Sequence, residues 1–188
     1  MSLQRAQRVT LTHRTGVGLI RLLTIDRLDS EILGRLTTNA RMGVAELSSR
    51  LGVARNTVQA RLRRLEERGV ITGFVPRIDL EAAGIPVQAF VGLELDQRRL
   101  GHVIDALTGF PEVLEINTQA GREDLLVRVA SPSHAELQQA VLAMIEIDGV
   151  RHTTTTLIVS TPLARRTQPL LDHVTRESGF GRSTPSAG

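Results

Sequence analysis

The chain contains no cysteine, lysine, tyrosine or tryptophan. Without cysteine it has no disulfide framework and no thiolate metal site, a composition that suits a reducing cytoplasm. Four phenylalanines are its only aromatics, so the core must be built from Leu, Val, Ile and Ala. No uncharged apolar run approaches the ~18 residues that signal a membrane-spanning helix, and no membrane partner is expected. The absence of lysine also explains a sequence pI near 11.0 beside a net charge of only +3. Arginine carries all the basic charge, and almost nothing titrates between neutral pH and the arginine range.

What is present is unevenly spread. Residues 1–76 hold 13 Arg against 6 acids, residues 77–162 hold 6 Arg against 12, and residues 163–188 hold 4 Arg against 2. A basic first half facing a polyanion and an acidic second half with another task is the simplest reading. Five segments follow: residues 1–27 as a disordered, arginine-rich arm, 28–76 as a basic first domain, 77–86 as a linker, 87–162 as a second domain, and 163–188 as a disordered tail. A helical turn around Leu170 to Val174 is the only structure expected in the tail, which is rich in Pro, Gly, Ser and Arg.

In the first half, Leu28, Ile32, Leu33 and Leu36 recur with helical spacing behind a cap at Asp29 or Ser30. A second short helix carries Val44, Leu47 and Leu51 and stops at Gly52. A third is expected from about Ala54 to Arg68, stopping at Gly69. The stretch "GVARNTVQARLRRLEERGVITGF" holds five arginines against two acids. On a helical wheel Val58, Leu62 and Leu65 form its buried stripe, with Asn56, Ala60, Arg63 and Glu67 opposite. Thr57, Gln59 and Arg64 flank that outer face, while Arg55 and Arg61 lie nearer the apolar edge. Asn and Gln match adenine edges and Arg matches guanine in a major groove. An ordinary solvated face is the plainer reading, but three short helices with a glycine turn before the basic one favour helix-turn-helix DNA binding.

The run from Val58 to Phe74, of the form VxxRLxRLExxGVIxGF, resembles the Lrp/AsnC family of transcription regulators, and the likeness extends from Leu28 to about Pro162. The resemblance implies an α+β protein: an N-terminal winged-type helix-turn-helix, a short connecting strand, and a C-terminal ligand-sensing domain. The wheel and the base-edge chemistry give the expected DNA contacts as Arg55, Asn56, Thr57, Gln59, Ala60, Arg63 and Arg64, with Arg64 on phosphate.

The second half has the pattern of such a domain. Alternating Val87, Ala89, Val91, Leu93 and Leu95 predict a strand, residues 100–107 a helix, 113–117 and 125–129 two strands, 133–147 a helix bearing Leu137, Val141, Leu142 and Ile145 on one side, and 151–160 a last strand. The order βαββαβ is ferredoxin-like. Both helices should cover one sheet face. Phe90, Gly92, Leu126 and Ile158 would leave the other too apolar for water, so a second subunit is expected there.

In the resembling family a Gly-x-x-Asp turn helps to bind an amino-acid effector where subunits meet, and Gly121 and Asp124 match it. Asp124 would accept the ligand ammonium, and backbone N–H groups freed by a turn at Gly121 would meet its carboxylate. The family's last-strand contribution maps to Thr156, Leu157 and Ile158. Glu123 departs from the pattern, standing where an aromatic is common, and a plain hairpin turn is the competing reading of this stretch. The expected partners are double-stranded DNA, an amino acid or related small molecule, and further copies of the chain, as a homodimer with an octamer as the larger assembly. Neither a cofactor nor a metal is expected. The five histidines are scattered without metal-ligand or base spacing, so no catalysis is expected. The competing function is an amino-acid sensor that acts on a protein partner without touching DNA.

Overall fold

The computed structural model describes residues 24–179. These fold as two compact units, one comprising residues 24–74 and 166–179, the other residues 75–165. Most of the expected arm, residues 1–23, lies outside the described residues.

The first unit contains α1 (Arg27–Thr38), α2 (Val44–Leu51) and α3 (Arg55–Glu67). Leu28, Ile32, Leu36, Leu47, Leu51, Val53 and Val58 share one buried cluster, so the apolar stripes of the three helices converge. The cap of α1 is not Asp29 or Ser30. Asp26 occupies that position and accepts from the Asp29 N–H, while the Asp29 carboxylate accepts from the Asp26 N–H, a reciprocal capping box. The helix therefore begins one residue before the expected domain boundary at 28. Leu28 is fully buried and lies within the helix's first turn, so the first apolar residue did not mark the helix start.

Between α2 and α3 the chain turns in three residues. Gly52 takes the left-handed conformation at φ 65°, which is inexpensive only for glycine. The Ser48 hydroxyl donates to the Val53 carbonyl at 2.6 Å, and Val53 is buried in the turn. Among the described residues no strand belongs to this unit, so the expected wing is absent, as is the connecting strand. Residues 68–86 run as turns and unpaired chain. A strand needs a hydrogen-bonding edge, and the described part of this unit offers none.

The tail is the larger surprise. It contains the last helix, which packs against α1; with two helices of the second unit preceding it, this is α6 (Gln168–Thr175). Proline sits in its first turn, where the missing N–H costs little. The turn expected near Leu170 is a full helix, although Leu170 itself is 63% exposed.

The second unit is a four-stranded antiparallel sheet in the order β2-β3-β1-β4, formed by β1 (Val87–Leu95), β2 (Val113–Thr118), β3 (Leu125–Ser131) and β4 (Val150–Leu157). With α4 (Leu100–Thr108) after β1 and α5 (His134–Ile145) after β3, this is the expected ferredoxin-like topology. Ala89, Val91, Leu93, Leu125, Val127 and Val129 face Val103, Leu107, Leu137, Ala140 and Met144 in one core, so both helices cover the same sheet face. The buried stripe of α5 is Leu137, Ala140 and Met144; Leu142 and Ile145 point outward, 55% and 43% exposed. The opposite sheet face is partly screened. The Arg128 guanidinium lies 6.0 Å from the Phe90 ring centroid and donates to Gln88 at 2.9 Å.

Candidate functional site

The outer face of α3 has the predicted form. Arg55, Asn56, Gln59, Ala60 and Arg63 are exposed and Thr57 is half-buried. None of these side chains makes a hydrogen bond or ion pair to another described residue. The helix start is also open. Its N-cap is Ala54, with no side-chain cap and no acid in the first turn, so the first N–H groups and the positive dipole end are left for an external acceptor.

The structure separates Arg61 and Arg64 from this face. Arg61 is buried to 8% exposure; its guanidinium donates to Asp26 and, at 3.1 Å, to Asp29. Arg64 pairs with the other oxygen of Asp29, a residue with no exposed surface. The α1 capping box is thus also the anchor of α3. Arg64 is committed within the chain, which contradicts its expected place on phosphate. Wheel geometry could not see this, because the partner acids lie about 35 residues away. The usable signal was Arg61 itself, a charge at the apolar edge of a helix beside a pair of N-terminal acids.

Burial raises the Asp26 pKa, but hydrogen bonds from Arg61 and the Asp29 N–H, together with the nearby guanidinium charges, outweigh it and hold the carboxyl below its ordinary value. Burial likewise opposes the charge on Arg61, and Asp26 and Asp29 more than restore it. A carboxyl whose native pKa is depressed contributes stability in full above the unfolded value of about 3.9 and loses it as pH falls through the native value. Thermal unfolding of this unit should therefore fall more steeply with acid below about pH 4 in wild type than in Asp26→Asn. Equal slopes in calorimetry would contradict the assignment.

In the second unit, the turn between β2 and β3 presents residues 119–124. Asp124 does not hold its carboxylate free: one oxygen accepts from the Leu95 N–H at 2.7 Å and the other from the Gln97 side-chain amide. Gly121 is exposed, takes no positive φ, and would meet nothing within 4 Å if it bore a Cβ. The expected strained glycine turn is therefore not observed. Glu123 lies over Gly92, where an added Cβ would come within 2.8 Å of its Cγ.

The two halves of the expected effector site are not brought together by one chain. Asp124 sits beside Leu93 and Leu95 at the C-terminal end of β1. Thr156 pairs with Phe90, Leu157 with Ala89, and Ile158 bonds Gln88, all towards the other end. At ~3.3 Å per residue that separation is roughly 15–20 Å. Leu157 also turns to the helical face, beside Leu137, Val141 and Leu142, whereas Thr156 and Ile158 alternate to the opposite face.

Residues 25–66 match the AsnC-type helix-turn-helix domain and residues 88–168 the Lrp/AsnC ligand binding domain. An HTH-type transcriptional regulator of Pyrococcus horikoshii is 33% identical over 141 residues, 74% of this chain and 89% of that one. The regulatory protein AsnC of Haemophilus influenzae is 31% identical over 147 residues, covering 77% and 98%. Among solved structures, E. coli AsnC superposes with TM-score 0.72 at 29% identity, covering 77% of this chain and 99% of that one. The fold is shared with a transcriptional regulator of Neisseria meningitidis solved as its L-Met complex, at TM-score 0.73, 22% identity and coverage of 80% and 99%. With both domains matched in order, and with relatives above 30% identity matched over most of their length, the chain belongs to the Lrp/AsnC family: a DNA-binding transcriptional regulator with a ligand-binding domain.

Proposed function

We propose that α3 enters the major groove of double-stranded DNA, with Asn56, Gln59 and Arg63 on base edges, Ala60 against the groove floor, and Arg55 and Thr57 on flanking phosphates. The observation that carries this reading is the row of exposed polar side chains without partners among the described residues, beginning at an uncapped helix start. Arg64 acts indirectly, by fixing α3 to α1. The protein works in the cytoplasm as a homodimer, with an octamer as its larger assembly, and carries out no catalysis and needs no cofactor. Two copies place two recognition helices on half-sites ~34 Å apart and make the second binding event intramolecular.

The effector is an amino acid or a close relative, bound at the turn of Gly121 and Asp124 and completed by Thr156, Leu157 and Ile158 of a second copy. The wide spacing of these two groups within one chain supports a site shared between copies. The ligand ammonium displaces the Gln97 amide from Asp124, while the Leu95 N–H keeps the other carboxylate oxygen.

This separates two substitutions. Asp124→Ala leaves the Leu95 N–H without its acceptor and should cost the second unit about 1–3 kcal/mol with no effector present. Asp124→Asn retains an acceptor oxygen but not the charge; it should unfold near the wild-type temperature and bind the effector about tenfold or more weakly. A thermal-shift screen of the twenty amino acids identifies the ligand, since anything binding only the folded state raises its stability. Calorimetric titration of the three proteins then decides. Equal effector affinity in wild type and Asp124→Asn removes Asp124 from the site. A screen without a hit favours the plain hairpin turn.

A further inference from the structure

The helix α6 lies past the matched ligand-binding domain, apart from its first residue, Gln168. It is nonetheless built into the DNA-binding unit. The Gln168 side-chain amide donates to the Ser30 carbonyl at 2.9 Å and to Asp172 at 2.7 Å, and the Ser30 hydroxyl donates to Asp172 at 2.9 Å. Ser30 is 1% exposed and Thr175 equally buried. Gly34 makes room for this arrangement, because a Cβ there would come within 2.9 Å of the Gln168 amide carbon.

At 100° per residue, Arg27, Ser30, Glu31 and Gly34 occupy an arc of roughly 100° on α1. Leu28, Ile32 and Leu36, which meet α2 and α3 in the core, lie opposite. The contact with α6 is thus made on the far side of α1 and leaves the outer face of α3 uncovered. It reaches α3 by another route. Gln168 holds the Ser30 carbonyl, the Ser30 N–H donates to the Asp26 carbonyl at 3.0 Å, and Asp26 and Asp29 hold Arg61 and Arg64. The last helix therefore pins the one turn of α1 on which the recognition helix is anchored.

We propose that α6 is a clasp: the chain leaves the DNA-binding unit after Phe74, forms the ligand-binding unit, and returns through residues 158–167 to grip α1 and hold α3 in its binding geometry. The return segment follows directly on Thr156, Leu157 and Ile158, so a change in the last strand has a covalent path of about ten residues to the clasp. This rests on the DNA-binding reading above for its consequence, though not for its geometry.

The test compares wild type with four variants, two of which end at Arg166. Because the protein has no native cysteine, Gly34→Cys with Gln168→Cys gives one defined pair, which on mild oxidation should close within a single chain and run as a monomer on denaturing gels. A chain ending at Arg166 should show faster amide exchange over residues 26–34. It should also bind the genomic fragments retained by wild type about fivefold or more weakly, while the ligand-binding unit unfolds at an unchanged temperature. Gly34→Ala raises helix propensity but evicts Gln168, so it should weaken DNA binding in the full chain and leave it unchanged in the chain ending at Arg166. A merely stabilising residue would not produce that difference. Unchanged exchange and unchanged DNA affinity on truncation would overturn the clasp, as would a cross-link formed only between chains. Exchange and cross-linking need no DNA, so failure of wild type to retain DNA would count against the DNA-binding reading while these two readouts still decide the clasp.

Discussion

Arg61→Ala should destabilise the DNA-binding unit by about 3–5 kcal/mol, the cost typical of removing one partner from a buried ion pair. The substitution leaves Asp29, which has no exposed surface, with Arg64 alone, and strips Asp26 of its guanidinium partner. A loss of this size is a large fraction of the ~5–15 kcal/mol that holds a typical domain together. DNA binding should disappear with the fold. Arg61→Met keeps the apolar stem but not the charge and should behave nearly as badly while both acids remain. Combining it with Asp26→Asn and Asp29→Asn should recover much of the loss, because what harms the single variant is the uncompensated buried charge. Denaturant melts of these variants, followed by a probe of the first unit, measure the effect. A melt of Arg61→Ala within about 1 kcal/mol of wild type would mean that the pair is a surface ornament.

Asn56→Ala and Arg63→Ala should each weaken specific binding by about 1–3 kcal/mol and leave the melt untouched. Both side chains are exposed and free of partners among the described residues, so the folded state loses nothing when they go. Relaxed discrimination at one base position should accompany each loss. Arg64→Ala should read differently, lowering stability along with affinity, because it unlinks α3 from Asp29. Arg55→Ala should reduce affinity on all sequences alike and flatten the salt dependence, as loss of a phosphate contact does. Titrations of a retained genomic fragment across a salt series separate these classes. Asn56→Ala and Arg63→Ala binding as wild type would refute the orientation of α3.

These expectations show where the sequence was readable. Local periodicity located α1, α2 and α3 and the strands of the second unit because each presents one apolar face: Val58 and Leu65 on α3, and Ala89, Val91, Leu93 and Leu95 on β1, are buried as their spacing requires. The outer stripe of α3 was legible for the same reason. What stayed hidden depends on contacts between distant residues. Arg64 looks like a free cation until Asp29 is placed beside it, and Asp124 looks available until the end of β1 delivers Leu95 and Gln97 to it. The clasp was hidden twice over. Its helix lies in a stretch whose Pro, Gly, Ser and Arg content reads as a tail, and its seat on α1 includes Ser30, which reads as a helix cap.

Sequencing the genomic DNA retained by the full-length protein at physiological salt tests the central claim most directly. The account predicts a discrete set of enriched sites that share a motif of two half-sites about one helical turn apart, with enrichment lost for Asn56→Ala and Arg63→Ala. Retention of no DNA above background by a folded, effector-binding protein would contradict it and favour a sensor that acts on a protein partner.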